Sequence, residues 1–161
     1  MDLRNILKQF NITPKKSLGQ NFIFDQEILD RIVAAGDVSP QDTVLEIGPG
    51  AGSLTRRLAE TAARVVAVEL DERLIPVLQH TLAEYSNVTV VHGDILTVQL
   101  PTSKLQTPNA YKVVANIPYH LTSAIIRHLL ESDVRPSLMV LTVQREVAER
   151  ICAAPPDMSL L

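Results

Sequence analysis

From residue 25 onward, short apolar runs rich in β-branched residues alternate with stretches whose apolar positions recur every three to four residues. Ile28, Leu29, Ile32 and Val33 share one helical face, with Asp25 placed to cap the helix start and Gly36 to stop it. Strands are predicted at residues 43–47, 65–68, 88–91, 113–115 and 138–143. Helices are predicted at 53–63, 72–85, 122–131 and 145–151. In the first of these, Leu54 and Leu58 lie one turn apart. In the second, Pro76 costs one backbone hydrogen bond near the first turn. In the third, Ile125, Ile126, Leu129 and Leu130 form the apolar face. Continuously apolar strands separated by helices predict an α/β fold, a parallel sheet covered on both faces. Residues 1–24 show no clear period and read as an arm ahead of a domain at 25–161. Residues 101–109, bracketed by prolines, read as a surface loop.

Composition narrows this picture. A chain of 161 residues that is 46% apolar can bury one core, which excludes a disordered chain. A lone cysteine, Cys152, cannot form an internal disulfide and fits a reducing compartment. No apolar run approaches the ~20 residues of a membrane span, and the first twenty residues carry no apolar block of a secretory signal. A cytoplasmic setting is therefore expected. The four histidines lack metal-ligand spacing, so no metal is expected. A net charge of −3 argues against bulk electrostatic attraction to nucleic acid. Arg4, Lys8, Lys15 and Lys16 nevertheless make the arm locally basic.

The chemistry collects at strand ends. Residues 46–52, Glu-Ile-Gly-Pro-Gly-Ala-Gly, follow the first strand and precede a helix. Gly48 and Gly50 allow a sharp turn and close approach of a ligand to the backbone. Glu69 ends the second strand, near the ~20-residue offset expected of a carboxylate that takes a ribose diol. Asp94 follows the third strand and can accept from an adenine amine. Ser53 stands where a dinucleotide fingerprint needs its third glycine, and no phosphate-gripping P-loop string occurs. A ribose and adenine site without a pyrophosphate grip suits S-adenosylmethionine. After the fourth strand comes Asn116-Ile117-Pro118-Tyr119. The Asn116 amide oxygen and Ile117 carbonyl can accept from one planar amine, Pro118 fixes the turn, and Tyr119 offers a face for stacking a base. Acceptors on the amine hydrogens free the nitrogen lone pair for in-line attack on a sulfonium methyl, and they stabilise the charge that develops.

Residues 15–22, 44–52, 66–71, 93–95, 116–119 and 143–150 together resemble the ribosomal RNA adenine dimethyltransferases, most fully the bacterial small-subunit branch (the KsgA type). The resemblance implies a Rossmann-like class I methyltransferase fold. It implies S-adenosylmethionine-dependent dimethylation of two adjacent adenosines in a hairpin near the 3′ end of 16S rRNA during small-subunit assembly. It implies cofactor contacts at Asn21, Ile23, Gly48, Gly50, Glu69, Asp94 and Asn116, with Asn116 and Tyr119 holding the target base through the 116–119 turn. Lys15 and Lys16, beside the cofactor arm, are candidate RNA phosphate contacts. Members of the family run on for roughly another hundred residues through the last sheet strands and a small helical domain, so this chain reads as a fragment with weak cofactor binding and poor activity. An enzyme of large-subunit RNA or DNA adenine, or a non-catalytic assembly or transcription factor on the same fold, stays open.

Overall fold

A computed structural model describes residues 2–15, 18–98 and 111–154. Among these residues the chain builds five parallel strands: β1 (Thr43–Ile47), β2 (Arg64–Glu69), β3 (Val88–His92), β4 (Lys112–Asn116) and β5 (Leu138–Thr142). Their spatial order is β3-β2-β1-β4-β5. All five residues of central β1 are buried, whereas β3 and β5 at the edges are mostly half-buried. This is the expected gradient for a sheet covered on both faces.

Side-chain alternation sends the two halves of each strand to different layers. Leu45, Ile47, Val66, Val68, Val113 and Ala115 pack with Ile125 and Leu129 of α5 (Thr122–Glu131). Val44, Val65 and Val114 pack on the other face with Leu29 and Ile32 of α2 (Gln26–Ala35) and Leu54 and Leu58 of α3 (Ser53–Ala59). The carboxylate of Asp25 accepts from the Ile28 N–H at 3.1 Å and caps α2. α6 (Arg145–Cys152) has no buried residue and carries an Arg145–Glu149 ion pair of 2.8 Å.

Four local expectations are corrected. Residues 1–24 are not simply an arm: α1 (Leu3–Gln9) is capped by Asp2, whose carboxylate accepts from Arg4 and Asn5 N–H. Leu3, Ile6 and Leu7 of α1 are buried against Ala51, Leu74 and Val77. The helix expected over 53–63 stops at Ala59. The helix expected over 72–85 divides into a 3-10 turn at Glu72–Leu74 and α4 (Ile75–Thr81). Pro76 opens α4 at a position where the backbone N–H needs no partner, so it costs no hydrogen bond. Gly36 ends α2 in right-handed geometry, and Asp37 takes the positive φ of 41°. Gly36 thus stops the helix as expected, and it sits in a tight space, since a Cβ there would stand 3.0 Å from the Val114 side chain. The loop expected at 101–109 lies outside the described residues.

Candidate active site

β1 has β2 on one side and β4 on the other, so the strand order reverses there and a crevice opens at the carboxyl ends of the sheet. A cleft with an open mouth lies there, the usual place for a ligand in an open α/β sheet. The glycine loop, the ends of β2 and β4, residues 93–95 and the arm at 18–23 line it.

The loop leaves β1 through Gly48, with φ of +70° and its N–H on Val68 O at 2.9 Å. A Cβ at Gly48 would meet only Asn116 O, at 3.9 Å, so the backbone is bare toward the cleft. Gly50 also has positive φ (+61°), and here the space is taken, since an added Cβ would lie 2.9 Å from the Phe22 ring. Glu69 is buried at the end of β2. Its two oxygens accept from Gly50 N–H at 3.1 Å and Asp71 N–H at 2.8 Å. Burial pushes the Glu69 carboxyl above its ordinary pKa, and those backbone donors partly restrain the rise. Each oxygen keeps a lone pair for a further donor. The Asp94 carboxylate accepts from the Leu96 N–H at 2.9 Å, which leaves acceptor capacity toward the cleft that Asp94 lines.

The arm lies across this opening. Asn116 Nδ2 donates to Asn21 O at 2.7 Å, and Asn21 Nδ2 donates to Tyr119 Oη at 3.3 Å. The Thr142 hydroxyl donates to Asn116 Oδ1. Gln20 ties the arm down, accepting from Lys15 N–H and donating to Asp71 Oδ2, both at 2.8 Å. Asp71 also pairs with Arg73 at 2.6 Å, which holds its carboxyl down at about 2.

Asn21, Ile23, Gly48, Gly50, Glu69, Asp94, Asn116 and Pro118 therefore line one cleft. Ile117 does not line it: its side chain is buried in the core beneath, which leaves its backbone for the role foreseen at the sequence level. Tyr119 reaches the site through its hydroxyl, in a 3-10 turn at Tyr119–Leu121. Lys15 is exposed, and Lys16 lies outside the described residues. Arg57 pairs with Asp30 and Glu60, and Arg56 with Glu84, which accounts for both as surface ion pairs. Among the described residues no group of three or more His, Cys, Asp or Glu could hold a metal. No helix among them is long and apolar enough to cross a membrane.

Sequence reasoning passed over three residues. Glu46 is fully buried in the cleft wall, and its Oε2 has no hydrogen-bond partner among the described residues. Burial pushes its carboxyl up to about 8, and the Glu69 charge adds to the rise. An acidic residue inside an otherwise apolar strand was the available signal. Gln20 and Asp71 meet across 51 positions, which no local pattern reports.

The family model for ribosomal RNA adenine dimethylase matches residues 11–160. The chain belongs to that family. A ribosomal RNA small subunit methyltransferase A of Ligilactobacillus salivarius is 48% identical over 155 residues, 94% of this chain and 52% of the relative. The same-named protein of Enterococcus faecalis is also 48% identical over 94% of this chain. The chain thus spans about half the length of the curated relatives it matches. Among solved structures, the 23S rRNA methyltransferase ErmE is 36% identical with a TM-score of 0.70, covering 81% of this chain and 50% of its own. A dimethyladenosine transferase from Plasmodium falciparum is 32% identical with a TM-score of 0.72, covering 83% and 47%. The fold is accordingly the Rossmann-like α/β fold of class I methyltransferases.

Proposed function

We propose that this chain carries the cofactor pocket and target-base motif of a 16S rRNA adenine dimethyltransferase. Its substrate is two adjacent adenosines of the 3′-terminal hairpin in small-subunit particles, in the cytoplasm. One observation supports this most: a single cleft joins a bare glycine loop and two acceptor carboxylates to the Asn116 amide. The residues fit S-adenosylmethionine. The open backbone at Gly48 leaves room for its methionine end, and Glu69 and Asp94 keep lone pairs for ribose hydroxyls and the adenine amine. When bound, the cofactor supplies an electrophilic methyl on a sulfonium.

The protein does the rest by position. Asn116 Oδ1 and the Ile117 carbonyl accept the hydrogens of the target amine, which localises the nitrogen lone pair for in-line attack. Tyr119 packs on the base. A base paired in a helix must first be extruded, at a cost of a few kcal/mol. Asn21 holds both Asn116 and Tyr119 in this conformation, so the arm borders the path of the base.

The test is methyl mapping on under-methylated small-subunit particles incubated with the chain and labelled S-adenosylmethionine. Methyl groups are expected on the amines of two adjacent adenosines, at low yield, because the chain spans about half the length of its relatives. Asn116→Ala should lower transfer by roughly 10²–10³ while cofactor binding survives in part. Transfer retained in that variant removes Asn116 from its role. Tight cofactor binding without any transfer by the unmodified chain favours a non-catalytic assembly factor.

A further inference from the structure

We infer that Thr142 is a positioning residue for the target-base site, anchoring the Asn116 amide through its hydroxyl; this rests on the function proposed above. The argument begins with register. β4 and β5 run parallel, and their ladder pairs Lys112 with Leu138 and ends by pairing Asn116 with Thr142. Paired residues on neighbouring strands project to the same face of a sheet. Two positions earlier, Val114 and Val140 both pack on the face covered by α2 and α3, so Asn116 and Thr142 project to that face as well.

Hydrogen-bond chemistry then fixes the arrangement. The Asn21 carbonyl is an acceptor only, so the Asn116 group facing it at 2.7 Å is the amide nitrogen. The amide oxygen consequently faces Thr142. An amide oxygen carries no proton, so the Thr142 hydroxyl is the donor. One lone pair of Asn116 Oδ1 is engaged by Thr142, and the other is free for a hydrogen of an adenine amine.

Substrate entry makes the anchor matter. The arm holds the amide only through the Asn21 carbonyl on its nitrogen, so any shift of the arm on substrate entry removes that contact. Thr142 remains on the other side, on a strand rather than a loop, and holds the amide plane against rotation. An amide turned by 180° would aim its own N–H groups at the amine hydrogens of the base, donor against donor. Thr142 does not line the cleft, so its removal need not disturb the cofactor.

Thr142→Val keeps the shape and removes the donor, while Thr142→Ser keeps the donor. The experiment measures three things on the intact chain: S-adenosylmethionine affinity by calorimetry, transfer to small-subunit particles, and the side-chain amide signals of Asn116 by ¹⁵N NMR. For Thr142→Val, cofactor affinity and KM should stay within about twofold, kcat should fall roughly tenfold, and the Asn116 amide signals should shift. Thr142→Ser should restore both the rate and the signals. Unchanged transfer in Thr142→Val, equal loss in the valine and serine variants, or unmoved Asn116 signals would each overturn the inference. If the unmodified chain transfers no methyl, the proposed function fails, and the Asn116 signals alone decide whether Thr142 anchors the amide.

Discussion

Asp94 has one carboxylate oxygen engaged by its own turn, through the Leu96 N–H, and presents its remaining acceptors to the cleft. In the proposed cofactor site its contribution is a single specific hydrogen bond to an adenine amine. Asp94→Ala should weaken S-adenosylmethionine binding by about 1–3 kcal/mol in calorimetry, and unchanged affinity would remove Asp94 from the site. Glu46 makes a different kind of demand. Its carboxyl is buried and raised from 4.5 to about 8, so in the neutral range the folded chain holds a proton there that the unfolded chain has released. A raised pKa favours folding fully below the unfolded value, and that contribution is lost as pH rises through the folded value. The window is therefore pH ~4.5 to 8. Glu46→Gln keeps the shape and cannot ionise, so its melting temperature should gain on that of the unmodified chain from pH 5 to pH 8. Parallel curves across that range would show that Glu46 is ionised in the folded state.

Elements whose apolar stripe is complete were legible in sequence. β1 matches its expected bounds because all five residues are buried, and α5 matches because Ile125 and Leu129 recur one turn apart on the core face. α1 escaped because its apolar set, Leu3, Ile6 and Leu7, covers barely two turns among basic residues, and it depends on packing against Ala51, Leu74 and Val77 beside its Asp2 cap. The glycine loop and strand-end acids were legible as types. How the arm closes over them was not, since Asn21–Asn116 and Gln20–Asp71 join positions 95 and 51 apart. That closure depends on glycine as much as on hydrogen bonds. At Gly50 an alanine would meet two Phe22 ring atoms at 2.9 Å from a backbone with φ of +61°. The left-handed backbone alone costs about 1–2 kcal/mol for a residue with a Cβ. Gly50→Ala should therefore push Phe22 outward, speed amide hydrogen exchange over residues 20–24 and weaken cofactor binding roughly tenfold. Arm exchange matching the unmodified chain would mean that loop and arm are not packed as described.

At the scale of the whole molecule, the proposed function requires a chain of net charge −3 to meet a polyanion. Several of its cations are neutralised locally: Arg73 by Asp71, Lys112 by Asp42, Arg57 by Asp30 and Glu60, and Arg145 by Glu149. Such pairs add little attraction for phosphate, since approach of RNA must compete with the acid already present. Lys15 is exposed beside the arm that covers the cleft, and Lys16 follows it in sequence. Attraction should then be local and reflect few phosphates. RNA affinity should fall only gently with salt, because each neutralised phosphate adds about 0.7 to 0.9 to the log–log slope. Replacing Lys15 and Lys16 together by alanine should reduce that slope by about 1.4 to 1.8 and weaken binding uniformly across RNA sequences. Cofactor affinity should not change, because Lys15 does not line the cleft. Binding titrations at several salt concentrations measure the slope directly. A slope untouched by the double substitution would place the phosphate contacts elsewhere on the molecule and leave the basic arm as a tether alone, held through Gln20 to Asp71.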